Sequence, residues 1–273
     1  MINIQKLNFQ YPKRAPLFQD LSCELSAGSI TGLLGKNGAG KTSLLKMMTG
    51  LLFPQSGAIQ VNGHDPMKRE PSHLENLFFV SEEFFLPAIS GKHYVKANAP
   101  FYPRFDQTLF DELVNSFELP ELHNLQKLSY GQKKKFLISF ALATKCRLLV
   151  LDEPTNGLDI PSKSIFRKCM AGALDEDQLV LISTHQVKDV ENLIDRILIL
   201  DEGKFVMQKE MHEISSKLRF ANSSVAEGEE ILYSEASPGG YRVITPGDSS
   251  HVDIELLFNA VTQGTQKLRS YVN

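Results

Sequence analysis

The sequence has few cysteines, no long apolar run and no excess of basic residues, and each absence narrows the possible functions. Its three cysteines, Cys23, Cys146 and Cys169, lie far apart. This spacing is not typical of a zinc site or a disulfide framework. We therefore expect buried, reduced thiols in a cytosolic protein.

Membrane insertion and non-specific nucleic-acid binding are both disfavoured. No apolar run approaches the ~20 residues that a membrane-spanning helix needs, and the first residues lack the basic-then-apolar pattern of a signal peptide. The formal charge of −3 leaves no general basic field, so we expect no nucleic-acid partner. If the protein serves a membrane, it must do so through a partner.

The size and the apolar pattern predict one α/β domain with an appendage. The chain of 273 residues is long enough for this, and it contains no internal repeat. Buried parallel strands are predicted at Leu148–Asp152, Leu179–Ser183 and Arg196–Leu200. Helices at Pro161–Leu174 and Val187–Ile194 would separate them.

Near the beginning of the chain, the alternation of Ile2, Ile4, Leu7 and Phe9 predicts an edge strand, with a slip between Ile4 and Leu7. From about residue 215 the composition becomes rich in turn residues. Two short strands, Ile231–Tyr233 and Tyr241–Ile244, and a helix over Ile254–Val261 are predicted there.

A glycine-rich segment with G-x-x-x-x-G-K-T spacing lies between a predicted strand, Ile30–Leu34, and a helix. Backbone N–H groups of such a loop form an anion site at the helix N-terminus. Lys41 would reach the β- and γ-phosphates, and the Thr42 hydroxyl would bind Mg²⁺. The candidate ATP-binding residues of this segment are Gly35, Lys36, Asn37, Gly38, Ala39, Gly40, Lys41, Thr42 and Ser43.

The apolar strand that begins at Leu148 ends in two acids, Asp152 and Glu153, at the edge where open α/β sheets bind ligands. Asp152 is suited to hold the metal through water. Glu153 is suited to accept a proton from the attacking water. An acidic pair after a strand is often only a helix cap, and the phosphate-binding loop favours the catalytic interpretation here.

The segment Leu128-Ser129-Tyr130-Gly131-Gln132 narrows the class of nucleotide hydrolase. It resembles the signature motif of the ATP-binding cassette (ABC) family, L-S-G-G-Q, with Tyr130 in place of the first glycine. In this family the signature of one subunit closes over the γ-phosphate held by another. The resemblance implies that Ser129, Gly131 and Gln132 bind nucleotide across a dimer. The lysines at 133–135 are predicted to lie mainly on a solvated face.

The resemblance covers about residues 1–212, and further family motifs follow in order. It implies that Tyr11 stacks on adenine, that Asp159 organises the contact with the other subunit and that His185 senses the γ-phosphate. Glu153, His185 and Lys41 are then the catalytic residues.

One position departs from the family pattern. The family usually has a glutamine that contacts Mg²⁺ and water where this chain has Glu82. A carboxylate also binds metal but donates no hydrogen bond when ionised. With Thr42 and Asp152, Glu82 completes the expected metal residues, and hydrolysis is expected to survive.

The resemblance implies a P-loop NTPase fold of ABC type, with a mixed sheet, an N-terminal antiparallel portion and a helical subdomain. The expected division is residues 1–214 for the nucleotide-binding domain, with a helical insertion at about 84–145, and residues 215–273 for a small α+β appendage.

The implied function is that of a transporter's ATPase subunit, using ATP and Mg²⁺ to close and open a homo- or heterodimer beneath a separately encoded permease. The segment Phe101–Asp106, Glu82 and the signature are most similar to small bacterial exporter cassettes. A peripheral location on the cytoplasmic face of a bacterial membrane follows. The alternatives are an ABC ATPase acting on a cytosolic assembly, such as iron–sulfur cluster assembly, and a nucleotide switch without transport.

Overall fold

A computed structural model describes residues 1–172, 174–263, 267–268 and 271. Within these residues, none of the helices has the length and apolar character needed to cross a bilayer. The strands are β1 Ile2–Gln10, β2 Pro16–Leu25, β3 Ser29–Leu34, β4 Ser56–Val61, β5 Leu77–Val80, β6 Leu148–Asp152, β7 Leu179–Thr184, β8 Arg196–Asp201, β9 Lys204–Glu210, β10 Leu218–Ser223, β11 Tyr233–Ser237 and β12 Gly240–Pro246. The α-helices are α1 Lys41–Met48, α2 Pro71–Leu74, α3 Gly91–Asn98, α4 Gln107–Ser116, α5 Tyr130–Ala143, α6 Ile160–Gly172, α7 Met211–Lys217 and α8 Ile254–Thr262.

The N-terminal strands form an antiparallel sheet in the order β2-β1-β4. The prediction of an edge strand for β1 is therefore wrong, because β1 lies between two partners. The predicted slip corresponds to a register shift between Ile4 and Leu7, where Lys6 has a φ of 45°. A bulge inserts an extra residue and so lets both Ile4 and Leu7 face the core, where both are buried.

The main sheet has the order β5-β6-β7-β3-β8-β9, with only β9 antiparallel to its neighbour. The three predicted parallel strands are confirmed within one residue at their ends. Glu202 and Gly203 have φ values of 45° and 74° and connect β8 to β9, as a tight hairpin turn requires. The carboxyl ends of β3, β6 and β7 therefore meet at one edge of the sheet.

Between β5 and β6 the chain is helical. Helices α4 and α5 pack on one another, and Phe136 and Phe140 of α5 are fully buried among other aromatic rings. Helix α5 begins with a capping box: the Ser129 hydroxyl accepts from the Gln132 N–H, and the Gln132 side chain accepts from the Ser129 N–H.

The last described strands form a third sheet, β10-β12-β11. Sequence patterns missed β10 and placed the next strand at Ile231–Tyr233, whereas β11 is Tyr233–Ser237. They also predicted a helix over Val187–Ile194, where only Val187–Asp189 forms a short 3₁₀ turn. Strand β10 has mostly exposed or half-buried side chains, so its pairing with β12 and not its composition selects the strand.

This third sheet and α8 share one continuous apolar core with the main sheet. Leu257 of α8 and Ile244 of β12 are buried with Val190 and Met207 in that core. An ion pair from Lys188 Nζ to Glu255, at 3.2 Å, lies at the edge of the contact. The C-terminal segment thus packs directly behind the loop that follows β7.

Candidate nucleotide-binding and hydrolysis site

The glycine-rich loop needs glycine at several positions for different reasons. Gly38 and Gly40 have φ values of 83° and 104°, which a side chain disfavours. A Cβ on Gly35 would lie 2.6 Å from the Leu200 carbonyl oxygen, and one on Gly40 would lie 2.8 Å from the Phe18 ring. The loop leads straight into α1, which begins at Lys41, so its backbone N–H groups are placed to bind an anion.

Lys41 lies at the base of this loop and is almost fully buried. Its Nζ donates to the Gly35 carbonyl at 2.7 Å. Burial lowers the pKa of Lys41, and the nearby carboxylates of Glu153, Asp152 and Glu82 oppose that shift. Lys41 therefore shares one buried site with three carboxylates, which favour its charged form.

Asp152, the last residue of β6, is fully buried, and both of its carboxylate oxygens are hydrogen-bonded. Thr42 Oγ1 donates to Oδ2 at 2.8 Å, and the Ser183 hydroxyl donates to Oδ1. The aspartate therefore orients the threonine hydroxyl that was predicted to bind Mg²⁺.

Glu153 has an unusual backbone and a tightly held side chain. Its φ of 47° is in the left-handed region, which costs a non-glycine residue about 1–2 kcal/mol. Oε2 accepts from Thr184 Oγ1 at 3.2 Å, and Oε1 lies 2.7 Å from His185 Nδ1. The acid and the histidine predicted to be catalytic are thus direct partners, which is an arrangement suited to proton transfer.

Most of the predicted residues surround one cleft of about 490 Å³. Tyr11 borders it, with its hydroxyl 3.0 Å from Ser43 Oγ. Sequence patterns did not predict that Arg14, Ala15 and Leu17 line the cleft. Their proximity to Tyr11 in the sequence was the only signal that could have identified them. The lining residues are Tyr11, Arg14, Ala15, Leu17, Asn37, Gly38, Gly40, Lys41, Thr42, Ser43, Glu82, Glu153 and His185.

Glu82 borders the same cleft and is held by the segment that follows Glu153. The Asn156 side-chain amide donates to Glu82 Oε1 at 3.1 Å. Asp159, predicted to organise a subunit contact, accepts from the Ser162 N–H at 2.9 Å and so caps α6. Sequence patterns did not predict this contact between Asn156 and Glu82, because the two residues are 74 positions apart.

The signature residues lie outside this cleft. Ser129 is exposed and Gly131 half-buried at the beginning of α5, and neither lines the cleft of its own chain. A Cβ on Gly131 would lie 2.9 Å from the Gly157 carbonyl oxygen, so the signature packs on the segment before α6. The structure therefore divides the predicted nucleotide-binding residues into two separate groups.

The donor set is suited to Mg²⁺ that arrives with phosphates. Thr42, Asp152 and Glu82 carry oxygen atoms, the type of donor that this cation prefers. In the described part of the chain, no cluster of three or more His, Cys, Asp or Glu residues could hold a metal by itself. A magnesium ion shared between one or two carboxylates and a nucleotide fits this arrangement.

The prediction of a solvated lysine run is wrong at one position. Lys133 and Lys135 are partly exposed, whereas Lys134 is fully buried and donates to the Glu153 carbonyl at 2.7 Å. Helix α5 is buried on most of its surface, so a run of lysines necessarily turns one of them inward.

Comparison with known proteins identifies the family of this chain. Residues 18–156 match the family model described as ABC transporter. The ABC transporter ATP-binding protein YtrB of Bacillus subtilis is 30% identical over 203 residues, which are 74% of this chain and 69% of that protein. The lantibiotic transport ATP-binding protein SrtF of Streptococcus pyogenes is 29% identical, covering 77% of this chain and 91% of that protein.

A third relative, the bacitracin transport ATP-binding protein BcrA of Bacillus licheniformis, is 33% identical over 68% of this chain and 62% of its own length. The solved structure of an ATP-binding subunit of an ABC transporter superposes with a TM-score of 0.69 at 22% identity, covering 78% of this chain and 91% of the other.

A dimeric ATP-binding cassette bound to ADP and phosphate, in a post-hydrolysis state, superposes with a TM-score of 0.67 at 19% identity. It covers 77% of this chain and 99% of its own. These likenesses confirm the P-loop NTPase fold of ABC type. The chain belongs to the ABC transporter family, as an ATP-binding and ATP-hydrolysing subunit.

Proposed function

We propose that two cassettes of this kind close head to tail, each offering its signature to ATP in the other's cleft. The supporting observation is that Ser129 and Gly131 lie outside the cleft of their own chain. The capped N-terminus of α5 offers N–H groups and a favourable dipole to an anion. ATP would then bind the closed dimer preferentially, and hydrolysis would release it.

Within one cleft, Lys41 would hold the β- and γ-phosphates and the loop N–H groups would hold the remaining oxygens. Glu153 would accept a proton from the attacking water. His185, paired with Glu153 through Nδ1 at 2.7 Å, would present Nε2 to the γ-phosphate. Glycine at positions 38 and 40 would allow the positive φ values of the loop, and glycine at position 35 would leave room for the Leu200 carbonyl.

Thr42, Asp152 and Glu82 would hold Mg²⁺, which would supply positive charge to the phosphates. The Thr42–Asp152 hydrogen bond at 2.8 Å orients the hydroxyl for this role. Glu82 would add a second acid, and Asn156 would keep its carboxylate directed into the cleft.

We further propose that a separately encoded permease receives the closing motion, with this chain peripheral to the cytoplasmic face of a bacterial membrane. The names of SrtF and BcrA, which concern lantibiotic and bacitracin transport, support a role in transport. In this proposal residues 1–214 form the motor, with the helical part at about 84–145, and residues 215–273 are an accessory region.

The test of head-to-tail closure uses Glu153→Gln, which should bind ATP without turning it over. In analytical ultracentrifugation with MgATP, we expect this variant to sediment as a dimer and to return to monomer without nucleotide. Adding Ser129→Arg should abolish the dimer and leave ATP binding in the monomer. A Glu153→Gln form that stays monomeric with its cleft filled would contradict closure and favour the nucleotide-switch alternative.

A further inference from the structure

Lys134 is a buried cation that the hydrolysis scheme does not use. It is fully buried on α5, with its Nζ 5.4 Å from the centre of the Tyr130 ring and 5.8 Å from that of Phe84. Burial lowers the pKa of Lys134, and the carboxylate of Glu82 opposes that shift most strongly. An ammonium group is costly to bury unless it is bonded or paired. The atom that accepts a hydrogen bond from Lys134 Nζ therefore indicates what this buried lysine stabilises.

That acceptor is the backbone carbonyl of Glu153, at 2.7 Å. The N–H of the same residue donates to the Ser183 carbonyl at 3.0 Å. Glu153 thus has a left-handed φ of 47° and a partner on each side of its backbone. Such a strained conformation persists only where surrounding contacts hold it. The direction of the Glu153 carboxylate depends on this backbone conformation.

Tyr130, one helical turn before Lys134, contacts the other acidic segment. Its hydroxyl donates to the Glu82 carbonyl at 3.0 Å, and its ring stacks on Phe84 with centroids 5.3 Å apart. The ring also covers Gly157, where a Cβ would lie 2.6 Å from it. One face of the first turns of α5 therefore contacts the backbones of both Glu82 and Glu153.

We infer that Lys134 is a positioning residue for the catalytic carboxylate of Glu153, and that Tyr130 does the same for the segment carrying Glu82. This inference rests on the proposed function, which assigns hydrolysis to Glu153. Because Ser129 caps the same helix, the helix that offers its N-terminus to the partner's nucleotide also holds the hydrolytic acid of its own chain.

The experiment is steady-state ATPase kinetics of Lys134→Met, which keeps the length of the side chain and removes the donor. We expect kcat to fall by about 100-fold, as a small misplacement of a catalytic group does, with KM for ATP little changed. Lys168→Met, the same substitution at an exposed position of α6, is the control and should match the parent. A kcat of Lys134→Met equal to the control would overturn the inference, as would a change in KM alone.

Lys134→Gln separates the hydrogen bond from mere packing. Its amide retains an N–H donor, so its kcat should lie between those of the parent and Lys134→Met. Should Lys134→Met not fold, judged by its melting curve, Lys134→Gln and Tyr130→Phe carry the test. Tyr130→Phe keeps the ring and loses one hydrogen bond, so we expect about a fivefold lower kcat. Parent-like kcat in both variants would contradict the assignment.

The dimer measurement distinguishes this inference from the proposed function. In the Glu153→Gln background with MgATP, Lys134→Met should still sediment as a dimer, because neither group of nucleotide contacts is removed. If the double variant forms a dimer and Lys134→Met alone has a parent-like kcat, then Lys134 does not position Glu153, and head-to-tail closure still stands. Absence of any dimer in Glu153→Gln itself refutes closure, while the loss of kcat in Lys134→Met would still support positioning.

Discussion

The nucleotide cleft and the C-terminal sheet differ in what they bury. Around the cleft, Lys41, Asp152, Glu153 and Lys134 are buried charged groups. Among the described residues after 215, the buried side chains are apolar or aromatic, such as Leu257 and Ile244, and the charged ones stay at the surface. Buried charge costs stability and is retained where chemistry needs it. The cleft is thus organised for reaction, and the C-terminal sheet for packing.

The largest expected effect in the cleft is a loss of turnover without a loss of stability. Glu153→Gln removes the proton acceptor and keeps the shape, so the ATPase rate should fall by about 10²–10⁴-fold. The melting temperature should stay close to that of the parent, because the glutamine amide keeps the side-chain shape and can still hydrogen-bond to Thr184 and His185. An ATPase rate near the parental value would show that Glu153 is not the proton acceptor in hydrolysis.

The opposite result is expected in the C-terminal core. Leu257→Ala deletes a fully buried side chain, which should lower the free energy of unfolding by about 2–5 kcal/mol. Turnover at a temperature where the variant is folded should stay near the parental value. Urea unfolding monitored by circular dichroism checks the first part, with the exposed Val225→Ala as the control. Lost activity in a folded Leu257→Ala protein would mean that this region does more than pack.

Two glycines allow the sharpest comparison of the regions. Gly38 in the phosphate-binding loop and Gly239 in the β11–β12 turn have φ values of 83° and 89°, and a Cβ on either would meet nothing within 4 Å. Alanine at either position should cost about 1–2 kcal/mol of stability from backbone strain. Only Gly38→Ala should also weaken ATP binding, measured by calorimetry. Equal ATP affinity in the two variants would contradict a phosphate-binding role for the loop.

Glu82→Gln probes the departure from the family pattern. The amide removes a charge and adds a donor, so hydrolysis should survive, with a change of about fivefold in rate and a shifted Mg²⁺ dependence. Glu83→Gln alters an exposed neighbour in the same way and should change neither quantity. If Glu82→Gln also left both unchanged, direct contact between Glu82 and Mg²⁺ would be refuted.

The smallest effect is expected at the surface of the C-terminal sheet. Arg242 pairs with Glu235 and Asp253, both at 3.2 Å, and all three side chains are partly exposed. Arg242→Met should cost about 0.2–1 kcal/mol of stability, less in high salt. Arg219→Met, at a more exposed pair, should cost less still. If urea unfolding shows a larger loss of stability for Arg242→Met, then ion pairs contribute more to this region than the exposure of these side chains suggests.

Sequence patterns succeeded where local chemistry decides the structure. The strand, glycine loop and helix over residues 29–48 follow from apolar runs and from glycines that adopt positive φ. Sequence patterns failed where pairing with residues distant in sequence determines the structure. Strand β10 forms because β12 pairs with it, and β1 lies inside its sheet because β4 adds to its free edge. Composition carries no information on either pairing.

The same distinction applies to the site. Residue types and spacing alone determined the phosphate-binding loop, the acids after β6 and the membership of this chain in its family, because each motif is local and its chemistry follows from its side chains. Only the tertiary structure decided that Lys134 turns inward to the Glu153 carbonyl and that the Tyr130 hydroxyl donates to the Glu82 carbonyl. The physical reason is that the burial and direction of these side chains depend on how α5 packs against residues at least 19 positions away in the chain, which no local pattern records.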